Sequence, residues 1–394
     1  MKKIYILLFV LIFSTQNSFS QGLQLSVYSE VSIITIGPGD ALFEVFGHNA
    51  IRIKDPVLRF DIIYNYGEFD FHQPGFYSNF TKGRLLYWVG KRRFQYFLES
   101  YRRQKRWMKE QVLDLTQQEK QAFFLFLERN TLPENAKYLY DPYLDNCSSK
   151  LRDITKEILG DKVKFNDPYS GEDYSFRELM NDELPWNTWG SLGINIALGN
   201  KLDKPRTHEE YMYLPDYIYL IFSDAQKSEA NNTKQLIKKE NVLLNFEEKK
   251  VSIPWYNPFA IFSLILFLIV YITLKDQKKT KRSNSIDFLL FFVTGSVGIL
   301  IWFLWFFTNH SMTPNNLNFL WAFAPNIIIA FLMLKKNPPK WIKYYLKFCI
   351  GLLMLIPAIW IFEFQLFPLA LIPILLALGI RYYYLSKYLL TFEK

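Results

Sequence analysis

The feature that most constrains the fold of this chain is a series of apolar runs after Asn257, each too long for the core of a soluble domain. The hydrocarbon core of a bilayer is about 30 Å thick and requires about 20 helical residues for each crossing. Residues 254–394 are therefore expected to form an all-α transmembrane bundle of about five helices. The predicted spans are Phe259–Leu274, Phe288–Phe307, Leu317–Leu334, Tyr345–Phe362 and Leu366–Tyr384.

Much of the surplus positive charge of the chain, which is +9 overall, lies in short loops beside these runs. Lys and Arg cluster in residues 275–282 and 335–343, and further basic residues follow the last run. Basic short loops mark the cytoplasmic side of a membrane, so the charge does not indicate nucleic-acid binding. Five crossings place every cluster on that side. The close junction around Glu363 leaves open that the last two runs form a re-entrant pair.

The first 20 residues have the pattern of an export signal. Lys2 and Lys3 precede the apolar stretch Ile4–Phe13, and Ser18-Phe19-Ser20 supplies the small residues of a cleavage site. This pattern predicts a signal peptide over residues 1–20, with an uncleaved anchor as the alternative. We therefore expect a multi-pass protein of the bacterial inner membrane, with its globular domain facing the periplasm.

Between the signal and the bundle, alternating apolar and polar residues predict an α+β domain over residues 21–160. A helical extension, ending in a polar linker from residue 225, is expected over residues 161–253. A capping box, Thr116 with Glu119, opens one of the predicted helices. Strands are predicted at Val31–Gly37, Ala50–Lys54, Phe60–Tyr66, Arg84–Val89 and Trp107–Leu113, and helices at Arg92–Arg103, Thr116–Arg129 and Asp145–Leu159.

The chain has two cysteines, and only Cys147 lies in the exported part. A lone thiol in an oxidising compartment is a liability unless it is used. Cys147 is predicted at the start of a helix, where unpaired N–H groups and the helix dipole stabilise the nucleophilic thiolate. The sequence therefore favours a nucleophile, with a small buried apolar side chain as the alternative.

His48 is the candidate base for this thiol. It follows Gly47 and enters the predicted strand Ala50–Lys54. A histidine on a strand that faces a cysteine on a helix is the arrangement of papain-like enzymes. The alternative is a histidine that merely occupies the surface at the start of a strand.

A third polar group is expected to orient the imidazole of His48. If the second and third predicted strands form a hairpin about Pro56–Val57, His48 lies opposite Asn65 or Tyr66. Asn65 is the first choice because its amide oxygen can accept a hydrogen bond from the ring. The alternatives are Glu68 and Asp70.

The order of these motifs resembles known families. A histidine followed by a cysteine in an Asn-Cys-Ser helix start is similar to the permuted NlpC/P60, papain-like branch that includes lecithin:retinol acyltransferase-like (LRAT-like) enzymes. GDALFEVFGHNAIRI, IIYNYGEFDF and YLYDPYLDNCSSKLRDI look more closely like the exported domain of the Lnb-type lipoprotein N-acyltransferases. WGSLGINIALG, YLPDYI and TNHSMTPNNLNFLWAFAPN extend this resemblance over residues 31–326. It implies a permuted papain-like domain with Cys147 as nucleophile and His48 as base.

Four further residues are candidates for substrate binding. Asn146 and Ser148 flank Cys147, whose backbone N–H, helped by Asn146, is a candidate oxyanion hole. His310 and Asn318 lie at the predicted outside loop between the second and third spans, and the resemblance makes that loop a candidate site for a lipid headgroup or the acceptor amine. The histidines lack metal-ligand spacing, and no phosphate-loop spacing occurs. No metal and no cofactor are expected.

Basic and aromatic residues alternate between Arg92 and Trp107, a stretch that includes Arg106. Such an amphipathic stretch can lie on an anionic bilayer surface. It can equally form the solvated face of a helix that covers the core. The sequence does not decide between these two interpretations.

The resemblance implies acyl transfer from a membrane phospholipid, through a Cys147 thioester, to the N-terminal amine of a diacylglyceryl lipoprotein. Its partners would be the phospholipid donor and the lipoprotein acceptor, both presented at a membrane surface. The residues alone leave other functions open. These are a papain-like peptidoglycan amidase or peptidase, a phospholipase or thioesterase, and a non-catalytic membrane-anchored assembly module.

Overall fold

A computed structural model describes residues 23–169, 171–229, 232–248 and 253–390. The predicted signal peptide, residues 1–20, lies outside these ranges. The described residues form an α+β domain followed by a helical membrane domain. Both parts of the predicted fold class are therefore present.

Seven antiparallel strands form the main sheet of the α+β domain, in the order β10-β5-β1-β2-β3-β4-β6. Strands β1 and β2 lie near its centre and are buried on both faces: β1 carries β-branched residues on each, whereas β2 buries Ile51 and Ile53 on one face and Ala50 on the other. Strands β7, β8 and β9 form a small second sheet. The strands are β1 Glu30–Ile36, β2 His48–Asp55, β3 Phe60–Glu68, β4 Leu86–Arg93, β5 Met108–Leu113, β6 Lys137–Leu139, β7 Val163–Lys164, β8 Gln226–Glu229, β9 Asn232–Gln235 and β10 Ile237–Leu244.

Helices cover both faces of this sheet. On one face, α3 and α4 bury Phe123 and Leu151 in the large core with Ile51. On the other face, α2 packs Phe94 and Phe97 into a smaller cluster. The helices of this domain are α1 Phe76–Thr81, α2 Phe94–Gln104, α3 Gln117–Asn130, α4 Cys147–Leu159, α5 Phe176–Glu183, α6 Trp189–Ala197, α7 His208–Tyr211 and α8 Pro215–Asp224.

The hairpin between β2 and β3 turns over residues 56–59 rather than about Pro56–Val57 as predicted. Asp55 pairs with Phe60 across the end of the hairpin. The carboxylate of Asp55 accepts hydrogen bonds from the backbone N–H groups of Val57 and Leu58, which stabilises the longer turn. The register therefore differs by two residues from the predicted one.

The prediction that residues 225–253 form only a linker is wrong. Gln226–Glu229 and Asn232–Gln235 pair with each other as β8 and β9, and β10 joins the edge of the main sheet by pairing with β5. An edge strand exposes most of its side chains and is commonly rich in Lys. This explains why the composition of β10, IKKENVLL, resembles a solvated linker.

Within residues 253–390, four helices are long and apolar enough to cross a membrane: Pro258–Lys278, Asn284–Phe306, Ile342–Ile361 and Leu369–Leu390. The predicted third span, Leu317–Leu334, is not a continuous helix. It consists of a 3-10 turn at Leu317–Leu320, a bend through Pro325, and a helix of eight residues. The helices are α9 Pro258–Lys278, α10 Asn284–Phe306, α11 Asn326–Met333, α12 Ile342–Ile361 and α13 Ile372–Leu390.

Two glycines of α10 explain how the broken segment packs. A side chain at Gly295 would overlap the backbone of Ile327, and one at Gly298 would overlap the carbonyl of Ala322. Small residues permit such close approach between membrane segments. The broken segment therefore lies directly against α10.

The basic loops meet at the end of the bundle that lies away from the α+β domain. Arg282 donates hydrogen bonds to the carbonyls of Met333 (2.8 Å) and Lys335. At the other end, the backbone N–H of Asn309 donates to the carbonyl of Lys82 in the α+β domain (2.8 Å). Within residues 253–390, the four long helices and the broken segment together run between the two ends an odd number of times, as the distribution of charge predicts.

Candidate active site

Cys147 and His48 meet at one end of the main sheet. His48 is the first residue of β2, and Cys147 is the first residue of α4. Their side chains share a hydrogen bond, and the backbone N–H of Asn49 donates a second one to the sulfur. The thiol is buried, with 8% of Cys147 exposed. The fold thus brings together the two residues that the sequence singles out as nucleophile and base.

The start of α4 is held by a reciprocal cap. The side-chain oxygen of Asn146 accepts hydrogen bonds from the N–H groups of Ser148 and Ser149, both at 2.9 Å. The hydroxyl of Ser149 accepts one from the N–H of Asn146 (2.8 Å). Because Cys147 is the first residue of the helix, its own N–H belongs to the donors that a helix leaves unpaired. It is a candidate donor to an oxyanion.

Asn65 orients the imidazole. Its Oδ1 lies 2.5 Å from Nε2 of His48, and its Nδ2 donates to Glu68 (2.9 Å). Since Oδ1 can only accept, Nε2 carries the proton and Nδ1 is left for the thiol. Glu68 in turn bonds Arg92. A side chain at Gly90 would overlap the carboxylate of Glu68 and would therefore move it from its present position beside Asn65.

The two alternatives to Asn65 have different positions. Glu68 is one step further along the chain of hydrogen bonds and holds the amide of Asn65. The carboxylate of Asp70 accepts from the backbone N–H of His72, in an exposed loop. The geometry therefore favours Asn65 as the direct partner of the imidazole.

Electrostatics favour a thiolate–imidazolium pair. Burial by itself raises the pKa of Cys147, but the charge of His48 and hydrogen bonds from His48, Asn49 and Ser148 outweigh it and bring the pKa to about 7. Lowering the pKa of the thiol from its ordinary value of 9.0 to about 7 corresponds to a stabilisation of the thiolate by about 3 kcal/mol. A helix N-terminus supplies only about 0.3–1 kcal/mol. The imidazolium must therefore provide most of the stabilisation of the thiolate.

Alkylation of Cys147 by iodoacetamide should consequently rise through a midpoint near pH 7, because the thiolate forms above the pKa of the thiol. In a His48→Ala variant the midpoint should move upward, since the positive partner is lost. Peptide mass spectrometry measures the rate at this cysteine across pH. A wild-type midpoint near pH 9 would show that the pair does not form.

Gly67 and several tyrosines surround the thiol. Gly67 has φ +89°, and a Cβ there would lie 3.8 Å from the Cβ of Cys147 and 4.0 Å from the hydroxyl of Tyr138. Among the described residues, the buried hydroxyls of Tyr66 and Tyr138 have no hydrogen-bond partner. Burial raises the pKa of Tyr138, which stays protonated. Tyr138 is a candidate hydrogen-bond donor to an acyl oxygen, which sequence reasoning missed because β6 is only three residues long.

Comparison with known families decides the relationship of this chain. The Lnb N-terminal periplasmic domain matches residues 17–192, and the Lnb transmembrane domain matches residues 248–393. The chain belongs to the Lnb family. It is a lipoprotein N-acyltransferase-like membrane protein with a periplasmic α+β domain. No significant match occurs among curated proteins or solved structures.

Two of the predicted substrate-binding residues of this Lnb family member instead support the thiol. The Nδ2 of Asn146 donates to the carbonyls of Pro142 (2.7 Å) and Tyr213 (2.8 Å), so no amide hydrogen is left for an oxyanion. Ser148 is fully buried, and its hydroxyl donates to Asn49 (2.7 Å). Both side chains fix the position of the nucleophile from inside the domain.

The other two, His310 and Asn318, join the two Lnb domains. The ring of His310 bonds the carbonyls of Phe80 and Thr81, and burial lowers the pKa of His310. The amide of Asn318 is fully buried and donates to the carbonyls of Asn195 (3.2 Å) and Ile196 (3.4 Å). These contacts seat α1 and α6 of the periplasmic domain on the membrane domain.

Asn318→Ala should therefore destabilise the protein without changing substrate affinity. The substitution removes the acceptor of the buried Trp321 Nε1 (2.9 Å) and both donors described above. Unsatisfied buried groups cost about 1–3 kcal/mol, so the thermal unfolding temperature should fall. The exposed Asn232→Ala is the matched control. A raised KM with unchanged thermal stability would instead indicate substrate binding by Asn318.

Proposed function

We propose that this protein is a cysteine-dependent lipoprotein N-acyltransferase of the inner membrane. In the first half-reaction the Cys147 thiolate attacks an ester carbonyl of a membrane phospholipid. The carbon–oxygen ester bond breaks, and the imidazolium of His48 gives its proton to the departing lysophospholipid alkoxide. The product is a thioester between the fatty acyl chain and Cys147.

In the second half-reaction the α-amine of a diacylglyceryl-modified lipoprotein attacks the thioester. A carbon–nitrogen bond forms and the carbon–sulfur bond breaks, which regenerates the Cys147 thiolate. The neutral imidazole of His48 accepts the proton that the amine loses. Amines attack thioesters readily, so a cysteine suits this transfer better than a serine.

One observation carries the proposal: a buried Cys147–His48–Asn65 arrangement within a chain of the Lnb family. The nucleophile has a depressed pKa, a base within hydrogen-bond reach and an orienting amide. The membrane domain supports it further. Donor and acceptor are both lipids whose reacting groups lie at the bilayer surface, on the same side as the periplasmic domain.

The proposal is tested with the purified full-length protein, a radiolabelled phospholipid and a diacylated lipopeptide in mixed micelles. We expect label on the amine of the lipopeptide and release of lysophospholipid. Release of free fatty acid alone would indicate a phospholipase or thioesterase. Cleavage of cell-wall fragments offered in parallel, without transfer to the lipopeptide, would indicate a peptidoglycan hydrolase.

A further inference from the structure

A cavity of about 650 Å³ lies beside the catalytic pair, and neither Cys147 nor His48 lines it. One wall is the loop 38–45 between β1 and β2. The others come from residues 104–107, from the segment around the start of α6, and from the residues that follow β10. The loop 38–45 therefore links the cavity directly to the strand that carries His48.

Arg106 gives this cavity a buried cationic wall. Only 5% of Arg106 is exposed. This residue therefore does not belong to an exposed basic surface, which is what the sequence between Arg92 and Trp107 suggests. Its Nε donates to the carbonyl of Gly37 (2.7 Å), and its Nη1 contacts Gln104 (3.2 Å) and Glu44 (3.5 Å). Its Nη2 is buried and has no acceptor among the described residues. Leaving a donor of a buried cation unpaired is costly, so the site has room for one more hydrogen-bond acceptor at Nη2, which an oxygen of a phosphate can supply.

The register of the sheet places Arg106 close to the catalytic pair. Ile36 of β1 pairs with His48 on one side and with Met108 on the other. Neighbouring strands lie about 4.8 Å apart, so the backbones of His48 and Met108 are separated by about 10 Å. Arg106 precedes Met108 by two positions and bonds Gly37, which follows Ile36. An anion on Arg106 therefore lies within a short molecular span of the thiol.

Other parts of the cavity wall are acidic. Glu247 and Glu248 line the cavity, as does Asp40 in the loop. Glu248 is held in place because its carboxylate accepts a hydrogen bond from Nε1 of Trp107 (2.7 Å). A buried cation with one unpaired N–H donor on one side and carboxylates on another is complementary to a zwitterion.

Aromatic residues near the cavity mark the level of the membrane surface. Trp189 of α6 donates from Nε1 to the carbonyl of Tyr256 (2.9 Å), just before α9 begins. Trp255 is 83% exposed beside it. Tryptophan and tyrosine concentrate at the headgroup level of bilayers. Gly190, which lines the cavity, follows Trp189 directly, so the cavity lies at headgroup depth.

We propose that this cavity binds the headgroup of a zwitterionic aminophospholipid of the phosphatidylethanolamine class. The phosphate lies on Arg106, and the ammonium lies among the carboxylates of Glu247 and Glu248. Only two or three glycerol carbons and the ester oxygen separate the phosphate of a phospholipid from its ester carbonyls, so this binding holds the ester near Cys147. The inference rests on the proposed function and identifies its acyl donor.

The first test compares acylation of Cys147 in the full-length wild type and Arg106→Gln. The donors are phosphatidylethanolamine and p-nitrophenyl palmitate, an activated ester without a headgroup. Arg106→Gln should slow acylation by the phospholipid about 10-fold or more relative to acylation by the activated ester, the loss expected for one charged hydrogen bond, because the ester reports separately the effect of the lost charge on His48. Arg103→Gln is the control, because the side chain of Arg103 is 79% exposed. Equal slowing with both donors would overturn the proposal, since Arg106 would then act on the catalytic pair.

The second test uses Glu247→Gln/Glu248→Gln. The wild type should prefer phosphatidylethanolamine to phosphatidylglycerol, and the double variant should lose this preference. Slowing only of the transfer to lipopeptide would overturn the headgroup assignment in favour of the acceptor amine.

A binding measurement separates this proposal from the catalytic one. Native mass spectrometry of the Cys147→Ala variant should show phosphatidylethanolamine bound to the protein. When Arg106→Gln is added to this variant, less of the lipid should be retained. If the wild type is never acylated but this difference persists, only the proposed reaction fails. If the added substitution does not affect retention, the headgroup site is wrong.

Discussion

Cys147→Ala is expected to abolish acyl transfer from phospholipid to lipopeptide, with a loss of roughly 10⁴-fold or more. The thiol has the lowered pKa and the neighbouring base of a nucleophile that carries the acyl chain between the two half-reactions. The other cysteine, Cys349, lies within α12 and is buried in the membrane domain. The measurement is the initial rate of lipopeptide N-acylation by equal amounts of wild-type and variant protein.

Two controls make the loss of activity interpretable. Cys349→Ala should retain the activity, because this cysteine has no part in the site. The thermal unfolding temperature of Cys147→Ala should stay close to that of the wild type, since removing one sulfur leaves the Asn146 cap of α4 intact. Full activity of the folded Cys147→Ala variant would favour the non-catalytic assembly module.

His48→Ala should lower the rate of acyl transfer by about 10²–10⁴-fold, the range for loss of a general acid–base group. The variant loses the proton donor for the leaving alcohol and the charge that brings the pKa of Cys147 to about 7. Raising the pH should recover part of the activity, because more thiolate forms. The measurement is the rate of each half-reaction between pH 6 and pH 9.

Asn65→Ala and His72→Ala complete this series. Asn65→Ala should cause a smaller loss than His48→Ala, because the base remains while its orientation is no longer fixed. His72→Ala should behave like the wild type, since His72 lies in an exposed loop. Comparable losses in His48→Ala and His72→Ala would show that the effect does not come from the site.

The elements that position the site are predictable where local signals are strong. The capping box of Thr116 with Glu119 opens α3 as expected, and Asn146 caps α4 so that Cys147 is its first residue. His48 falls at the start of β2 because the residues after it form a buried strand. These features depend on neighbours in sequence, which explains the agreement.

The hairpin shows how an expectation can reach the right residue through a wrong register. The predicted turn about Pro56–Val57 would pair His48 with Asn65 directly. The observed turn is longer, and the side chain of Asn65 reaches the imidazole from a different register position. The hydrogen bonds that the carboxylate of Asp55 accepts from backbone N–H groups determine the turn. The alternation of apolar and polar residues does not reveal these bonds.

Features that depend on distant contacts were not predictable. Lys-rich β10 becomes a strand only because β5 offers it an edge. The third span is broken where Asn318 donates to a carbonyl of α6 and Asn326, after the bend at Pro325, donates to Thr294 of α10, and average hydropathy does not register such contacts. Arg106 looks like one more surface charge until the loop after β1 folds over it.

The most direct test is the detection of the acyl-enzyme itself. The full-length protein is incubated with a phospholipid that carries isotope-labelled acyl chains, quenched in acid and analysed by peptide mass spectrometry. A labelled acyl group is expected on the peptide that contains Cys147, bound as a thioester that neutral hydroxylamine releases and that disappears when lipopeptide is added. N-acylation of the lipopeptide with no acyl group ever detected on Cys147 would contradict the proposed mechanism.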